Sequence, residues 1–357
     1  MASFKHLVRD DIRALSAYHV QPARGMVKLD AMENPYGLSQ SLRKEIGPLA
    51  ANAEMNRYPD PSAAELKALL REVMGIPAGS GVILGNGSDE LIQIMAMAVA
   101  KPGAVLLAPE PSFVMFRMIA VFCGLKFIGV DLHDDFSLDA PAMLAAVREH
   151  RPALTVLAYP NNPTGNLFDA DVITRIIETS PGLVVVDEAY FAFSPATFMA
   201  ALSRHSNLLV MRTVSKLGLA GLRLGLAAGP PDIVDELDKL RLPYNINVLT
   251  QIVVARLLGD YAQLQAQAAQ ICADRERLLA ALAEIPPVQP YPSQANFVLL
   301  RVPSANRVFD GLKQRGILLK NMNNAHPLLK DCLRVTVGTP QENQTFIEAL
   351  RDLVAHD

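Results

Sequence analysis

Residues 213–225 read Thr-Val-Ser-Lys-Leu-Gly-Leu-Ala-Gly-Leu-Arg-Leu-Gly and separate two apolar runs that each have the length of a buried strand. Lysine is rarely buried unless it has a partner or a chemical task, so Lys216 is unusual in this position. Desolvation lowers the pKa of a lysine until its free amine can form a Schiff base. Ser215 adds a hydroxyl, and Arg223 adds a permanent charge suited to phosphate. The competing interpretation is a surface loop with an ordinary solvated lysine.

Outward from this stretch, apolar runs alternate with helical patterns. The strand-like runs are 82–84, 104–108, 125–130, 153–159, 183–187, 207–211 and 224–228, and the helical segments between them include 88–100, 112–122, 138–150 and 169–179. Continuous apolar strands that alternate with helices predict an α/β fold with a mainly parallel sheet covered by helices on both faces.

The pattern changes after Pro286-Pro287. Shorter strand candidates at 296–302, 317–320 and 332–337 alternate with helices at 304–315 and from residue 340, which predicts a small α+β domain. We therefore predict a large domain over residues 36–275. The N-terminal arm and the small domain comprise residues 1–35 and 276–357.

Composition narrows the function classes. With 357 residues, 50% of them hydrophobic, the chain can bury a large core. A net charge of −3 gives no indication of a nucleic-acid or acidic membrane partner. The three scattered cysteines predict neither a disulfide framework nor a metal site. The charged N-terminus and the lack of a long apolar run predict a soluble, cytoplasmic protein.

Open α/β sheets bind ligands beyond the carboxyl ends of their strands, so the loops there are the candidate site. Residues 85–90, Gly-Asn-Gly-Ser-Asp-Glu, start a predicted helix with Ser88 as its N-cap, and free N–H groups there suit a phosphate. Residues 161–165, Asn-Asn-Pro-Thr-Gly, form a rigid turn that presents an amide. Asp187 ends an apolar strand, where a poorly solvated carboxylate needs a cationic partner such as a protonated pyridine nitrogen. Taken singly, a capped helix, an ordinary turn and a helix N-cap explain these three features.

Together, in this order, the segments 85–90, 161–165, 187–190 and 213–225 resemble the pyridoxal-phosphate-dependent aminotransferases of fold type I, class I/II. The resemblance covers nearly the whole chain. It implies that Lys216 carries pyridoxal 5′-phosphate, that Asp187 pairs with the ring nitrogen, and that Tyr190 and Asn162 bind the phenolic oxygen. Lys216, Asp187 and Tyr190 are the implied catalytic residues. The other implied cofactor contacts are Tyr58, Ser88, Asp89, Glu90, Phe113, Thr213, Ser215 and Arg223.

Three more segments resemble the branch of this family that acts on histidinol phosphate: Glu-Asn-Pro-Tyr-Gly at 33–37, Asn-Arg-Tyr-Pro-Asp-Pro at 56–61, and Cys-Leu-Arg-Val-Thr-Val-Gly-Thr at 332–339. The resemblance implies amino transfer between L-histidinol phosphate and 2-oxoglutarate in histidine biosynthesis. It also implies a homodimer with shared active sites, in which Tyr58 reaches the cofactor phosphate of the neighbouring subunit. The implied substrate contacts are Tyr18, Asn34, Lys320 and Arg334.

Two positions depart from the family pattern. Phe113 stands where an aromatic ring stacks on the cofactor and the family commonly has tyrosine, so stacking is kept and a hydroxyl is lost. Lys320 stands where this branch commonly has arginine, and lysine keeps the charge without the two-pronged geometry. A solvated strand-end lysine is the competing interpretation of Lys320.

Other functions stay open at this point. An aminotransferase for aromatic amino acids would have the same cofactor site, and a phosphothreonine decarboxylase of the same fold would also bind a phosphate. A cofactor-binding regulator would need a DNA-binding domain, for which the arm has no room. A dinucleotide-binding fold is disfavoured because Gly85-x-Gly87 does not continue as G-x-G-x-x-G.

Overall fold

The computed structural model describes residues 4–17 and 19–355. The α-helices of this part of the chain are α1 (Asp10–Arg13), α2 (Gln40–Ala51), α3 (Ala64–Val73), α4 (Ser88–Val99), α5 (Met115–Cys123), α6 (Ala140–His150), α7 (Ala170–Thr179), α8 (Pro231–Asp238), α9 (Val248–Leu258), α10 (Tyr261–Ala283), α11 (Ala305–Gln314) and α12 (Pro340–Val354). The strands are β1 (Val27–Lys28), β2 (Gly81–Gly85), β3 (Val105–Glu110), β4 (Lys126–Asp131), β5 (Leu154–Ala158), β6 (Leu183–Asp187), β7 (Leu208–Thr213), β8 (Gly225–Gly229), β9 (Gln289–Pro290), β10 (Phe297–Arg301), β11 (Ile317–Leu318), β12 (Lys320–Asn321) and β13 (Cys332–Thr336).

The main sheet has seven strands in the order β2-β8-β7-β6-β5-β3-β4. Only β8 runs against the others, since it pairs antiparallel with both β2 and β7 while the remaining pairs are parallel. This confirms the predicted mainly parallel α/β sheet. The central strands are buried along their whole length, as their unbroken apolar sequences indicated.

Helices cover both faces of this sheet. Successive side chains of a strand point to opposite faces, so along β6 Val184 and Val186 pack into one core and Val185 into the other. The first core includes side chains from α3, α6, α7 and α9, and the second from α4, α5 and α8. The carboxyl ends of the strands therefore meet at one edge between two helical layers.

The smaller unit has a four-stranded antiparallel sheet in the order β12-β13-β10-β9. The arm joins this unit, because β1 pairs in parallel with β11 through Val27 and Ile317. The prediction of one strand over 317–320 was wrong: β11 pairs with the arm, whereas β12 pairs with β13. The third apolar core lies under these strands and against α10, α11 and α12.

The start of α4 differs from the prediction by one residue. Gly87, not Ser88, is the N-cap, with φ of 89°, and Ser88 is the first helical residue. A left-handed φ is the conformation that glycine adopts without strain. Across the described residues, no helix combines the length and the apolar character needed to cross a membrane.

Candidate active site

The loops after β2, β5, β6 and β7 of the main sheet line one small cavity. The cavity has a volume of about 100 Å³ and contains ten of the twelve predicted cofactor contacts. Its lining residues are Met32, Ser88, Asp89, Phe113, Ala158, Asn162, Asp187, Ala189, Tyr190, Thr213, Ser215, Lys216 and Arg223. Parallel strands end at the same edge of a sheet, so residues far apart in sequence meet here.

One end of the cavity has the properties of an anion site. Ser88 begins the twelve-residue helix α4, whose first N–H groups carry the positive end of the helix dipole. A Cβ atom at Gly225 would lie 2.8 Å from Ser88 N, so only glycine lets β8 begin this close to the helix. The Thr213 hydroxyl donates to Ser215 Oγ at 2.9 Å. The Arg223 guanidinium lies 3.8 Å from the carboxylate of Asp89 across the same space.

Asp187 is the buried carboxyl group of the cavity. It ends β6, is 5% exposed, and its Oδ1 accepts a 3.0 Å hydrogen bond from the N–H of Ala189. Burial raises the pKa of Asp187 to about 7, and the charges of Asp89 and Glu188 act in the same direction. A cation beside it would stabilise the ionised form. The site therefore fits the protonated ring nitrogen that the sequence resemblance implies.

Lys216 follows β7, and the part of its side chain that remains exposed faces the cavity. Its Nζ donates to the carbonyl of Ala31 at 3.3 Å and lies 5.9 Å from the centre of the Tyr190 ring. The pKa of Lys216 is lowered to about 8, mainly by burial, and the nearby charges of Arg334 and Arg223 act in the same direction. These contacts rule out the alternative of a solvated lysine on a surface loop.

Tyr190 and Asn162 both line the cavity that contains Lys216. Tyr190 is buried, and its hydroxyl donates to Met32 Sδ at 3.3 Å. Asn162 Oδ1 accepts a hydrogen bond from Arg334 Nη1 at 2.5 Å. The amide nitrogen of Asn162 carries the two hydrogens that this side chain can donate. The rings of Phe113 and Phe116 form a T-shaped pair, with centroids 5.6 Å apart, and Phe113 also lines the cavity.

A second cavity, of about 460 Å³, adjoins the first and shares Met32, Phe113 and Asn162 with it. Lys320 and Arg334 both line it, and they are direct partners across the antiparallel pair of β12 and β13. A third cavity, of about 370 Å³, also reaches Lys320 and Arg334 and is bordered by residues 19–21 of the arm. Tyr18, a predicted substrate contact, lies outside the described residues.

Arg334 connects three parts of the chain. It lies on β13, donates through Nη1 to Asn162 and donates through Nη2 to the carbonyl of Asp30 at 2.9 Å. Its guanidinium also lies 5.3 Å from the centre of the Phe297 ring. A buried, permanently charged fork in this position can bind a carboxylate or a phosphate.

Two predicted contacts lie elsewhere in this subunit. Tyr58 is 80% exposed and stacks on Tyr244, with ring centroids 4.4 Å apart. Glu90 Oε2 accepts from the N–H of Asn86 and from Asn245 Nδ2 at 2.8 Å, so this carboxylate holds the glycine turn before α4. Neither side chain lines the three cavities of the described structure, and their roles at the cofactor stay predictions.

Asn34 also lies away from these cavities. Its amide nitrogen donates to the carbonyl of Leu217 at 3.1 Å and to Gln267 Oε1 at 2.9 Å. Asn34 therefore holds the loop that carries Lys216, and its predicted substrate contact stays a prediction. A Cβ atom at Gly218 would come within 2.9 Å of this amide, which explains the glycine after Lys216-Leu217.

Sequence reasoning missed two features of the site. Met32 lines all three cavities, and nothing in its sequence context indicated this. A buried ion pair joins Glu188 to Arg212 at 2.8 Å directly behind Asp187. Arg212 offered a signal, because an arginine within an apolar strand requires a buried acidic partner.

Comparison with known proteins agrees with this geometry. Residues 24–350 match the model of the family described as aminotransferase class I and II. The chain is 53% identical over 350 residues to histidinol-phosphate aminotransferase 2 of Cupriavidus pinatubonensis, which covers 97% of this chain and 96% of that one. It is 55% identical over 348 residues to histidinol-phosphate aminotransferase 1 of Ralstonia nicotianae, covering 96% and 93%.

A solved structure extends the likeness to three dimensions. The crystal structure of histidinol-phosphate aminotransferase from Sinorhizobium meliloti in complex with pyridoxal-5′-phosphate has a TM-score of 0.89 and 25% identity, and the match covers 99% of each chain. The family match spans most of the sequence, and the fold match spans nearly all of it. The chain belongs to the class I and II aminotransferase family.

Proposed function

We propose that this enzyme transfers an amino group between L-histidinol phosphate and 2-oxoglutarate, giving imidazole acetol phosphate and glutamate, with pyridoxal 5′-phosphate as its cofactor. The observation that carries the proposal is the pair Lys320 and Arg334, two cations on adjacent strands in a cavity that adjoins the Lys216 site. The names of the relatives at about 50% identity support the same reaction. The reaction belongs to the biosynthesis of histidine.

The residues of the first cavity would hold the cofactor. The N–H groups at the start of α4, with Ser215 and Arg223, would bind its phosphate, and Phe113 would stack on its ring. Asp187 would keep the ring nitrogen protonated, because a buried carboxylate and a positively charged ring nitrogen stabilise each other's ionised forms. When bound, the cofactor supplies an electron sink for the negative charge that develops at the substrate Cα.

Lys216 is the group that moves the proton. Its Nζ would take the proton from the substrate Cα and later return it, as a general base and then a general acid. A pKa of about 8 leaves a useful fraction of neutral amine near neutral pH. Tyr190, 5.9 Å from Nζ to ring centre, would orient the amine and shield it from water.

The second cavity must accept two different anions in turn. Histidinol phosphate has a phosphate and no α-carboxylate, whereas glutamate has two carboxylates. Arg334 can bind either through parallel charge-assisted hydrogen bonds. Lys320 would add a point charge that favours the phosphate.

We propose a homodimer with shared active sites in the cytoplasm. Tyr58 is exposed in one subunit, and so is Leu242 near its stacking partner Tyr244. A neighbouring subunit would cover this aromatic surface and bring Tyr58 to the cofactor phosphate of the partner site. Mixing Tyr58→Phe subunits with Lys216→Ala subunits should then restore activity, because each heterodimer would contain one intact site. A mixture no more active than the Tyr58→Phe protein would contradict this assembly.

A half-reaction assay tests the proposed substrate. The purified enzyme, loaded with cofactor, is mixed separately with histidinol phosphate, glutamate and phenylalanine, and the change in cofactor absorbance is followed. We expect rapid conversion with histidinol phosphate and glutamate and slow conversion with phenylalanine. A preference for phenylalanine would instead identify an aminotransferase for aromatic amino acids.

A further inference from the structure

The second cavity extends past the anion-binding end toward the edge of the main sheet. One part of its lining includes Asn162, in the loop after β5, and Arg334 on β13. Another part lies at β3 and β4 and includes Glu110, Arg117 and Phe127. The strand order places β3 two positions from β6, so this end lies roughly 10 Å from Asp187 along the sheet edge. None of the chemistry assigned above uses this end.

Glu110 is the one carboxylate among the described residues that line this cavity. Arg117 fixes its position with two hydrogen bonds, Nε to Oε1 at 3.2 Å and Nη2 to Oε2 at 2.5 Å. Arg117 is itself held over the Phe127 ring, with its guanidinium carbon 4.3 Å from the ring centre. Two hydrogen bonds leave further acceptor positions on the carboxylate, since it has about four.

Gly129 makes room for this carboxylate. A Cβ atom at Gly129 would lie 2.0 Å from Glu110 Oε2, so any larger residue on β4 would displace the group. Gly129 has an ordinary strand conformation, and no turn or positive φ requires glycine there. The space above β4 is therefore kept for the Glu110 side chain.

The lining of this cavity also includes His326 and apolar side chains. His326 uses both ring nitrogens, because Nδ1 accepts from the N–H of Leu328 at 3.3 Å and Nε2 contacts Asp131 Oδ1 at 3.2 Å. Phe127 and Met322 contribute apolar walls. This end is thus a slot that combines apolar lining with a carboxylate held in place by Arg117.

We propose that Glu110 accepts a hydrogen bond from the imidazole N–H of the amino substrate and so determines specificity for an imidazole side chain over a phenyl one. The inference rests on the proposed function. With the substrate phosphate at Lys320 and Arg334 and its amine at Lys216, the imidazole is the group left to occupy this slot.

The test compares wild type with Glu110→Gln, which keeps the shape of the side chain and removes its charge. Hydrogen bonds to charged groups contribute enough that kcat/KM for histidinol phosphate should fall about 10- to 100-fold. The rate with glutamate, which has no ring, should change less than about twofold, within the range of a surface substitution. Phenylalaninol phosphate, which has a phenyl ring in place of imidazole, should react equally with both proteins.

Two further variants keep the result interpretable. Gly129→Ala retains the carboxylate but displaces it, and it should reduce the preference for histidinol phosphate over phenylalaninol phosphate in the same direction. Glu236→Gln removes an exposed carboxylate of a surface ion pair with Lys239 and should leave every rate unchanged. Equal losses toward both phosphorylated substrates in Glu110→Gln, or an unchanged preference, would overturn the assignment of Glu110. Wild type that fails to convert histidinol phosphate would instead overturn the proposed function, and the inference with it.

Discussion

Asp187 and Glu188 are adjacent in sequence and equally buried, yet their surroundings are opposite. Glu188 is 0% exposed and fully engaged, with Arg212, the Thr197 hydroxyl and the N–H of Phe198 all bonded to its carboxylate. The carboxylate of Asp187 accepts one hydrogen bond, from Ala189. Both groups project from the end of the same strand, Glu188 toward one helical layer and Asp187 toward the cavity.

The difference separates a carboxylate that holds the fold from one that is kept for a ligand. A buried charge is tolerated when protein groups neutralise it, as Arg212 does for Glu188. Within residues 4–17 and 19–355, no cation forms an ion pair with Asp187, and burial raises its pKa to about 7 despite the charge of Lys216. The missing cation marks the place where a positively charged ring belongs.

The largest predicted effect is on the reaction rate and comes from Lys216, the lysine of the cavity. Replacing Lys216 with Ala removes the proposed proton carrier, and general acid–base groups contribute up to about 10⁴-fold in rate. Single-turnover mixing with histidinol phosphate should therefore show a loss of about that size. Lys239→Ala, in an exposed ion pair with Glu236, is the matched control and should behave as wild type. Lys216→Ala activity within tenfold of wild type would contradict the assignment.

On the structural side, Glu188→Gln should destabilise the whole protein. The substitution leaves Arg212 buried without its charge partner, and breaking such a pair typically costs about 3–5 kcal/mol. Urea unfolding of the cofactor-free enzyme measures the change in the free energy of unfolding. A loss below about 1 kcal/mol would mean that the pair does not hold the strand end.

Asp187→Asn should have the opposite effect on the stability of the cofactor-free enzyme: it should raise the free energy of unfolding near neutral pH, whereas Glu188→Gln lowers it. The folded pKa of Asp187 is raised from about 4 to about 7, so the folded state binds the proton more tightly than the unfolded state. Wild type is therefore most stable below pH 4 and loses stability as the pH rises to 7, whereas the asparagine variant does not titrate there. The stability advantage of the variant should grow by about 2–3 kcal/mol between pH 5 and pH 8.

The same variant should bind pyridoxal phosphate more weakly, because asparagine cannot neutralise a protonated ring nitrogen. Unfolding curves at pH 5 and pH 8, with and without saturating cofactor, measure both effects. If Asp187→Asn destabilised the cofactor-free enzyme at pH 8 as Glu188→Gln does, the contrast between the two carboxylates would be wrong.

The smallest predicted effect is on the KM for histidinol phosphate and comes from Lys320, in the second cavity. Lys320→Ala should raise the KM for histidinol phosphate about tenfold, the size expected from losing one charge-assisted contact. The KM for glutamate should change little, since Arg334 remains. Lys313→Ala on the exposed face of α11 removes the same charge and serves as the control. Equal changes for both substrates would favour the interpretation of Lys320 as an ordinary strand-end lysine.

The sequence predicted the parts of the molecule that depend on local pattern. The buried strands of the main sheet follow from apolar runs such as 183–187, and the cofactor cavity follows from the loops after them. Tyr58 and Glu90 show what a motif leaves open: it identifies a residue, but the neighbours in space decide which surface the side chain faces, so their roles at the cofactor stay predictions. Met32 could not be predicted for the same reason, since its place between the cavities depends on long-range contacts such as that with the Tyr190 hydroxyl.

Boundaries between elements were also hard to predict. The run 317–320 is uniformly apolar up to its lysine, so nothing local shows that its two halves pair with different strands. Only the position of the arm, 290 residues earlier in sequence at Val27↔Ile317, divides it. The domain boundary near residue 275 stays a prediction.

Helix α10 has a consequence for any attempt to divide this chain into fragments. It runs unbroken for 23 residues, about 35 Å, across the predicted boundary. Leu264 near its start belongs to a core of the main sheet, while Ile271 and Leu278 belong to the core of the smaller unit. A fragment starting at residue 276 would lose about two thirds of this helix together with β1. We expect such a fragment to be recovered unfolded, and a split enzyme to reassemble better when it is cut in the loop 284–288, beyond the end of the helix.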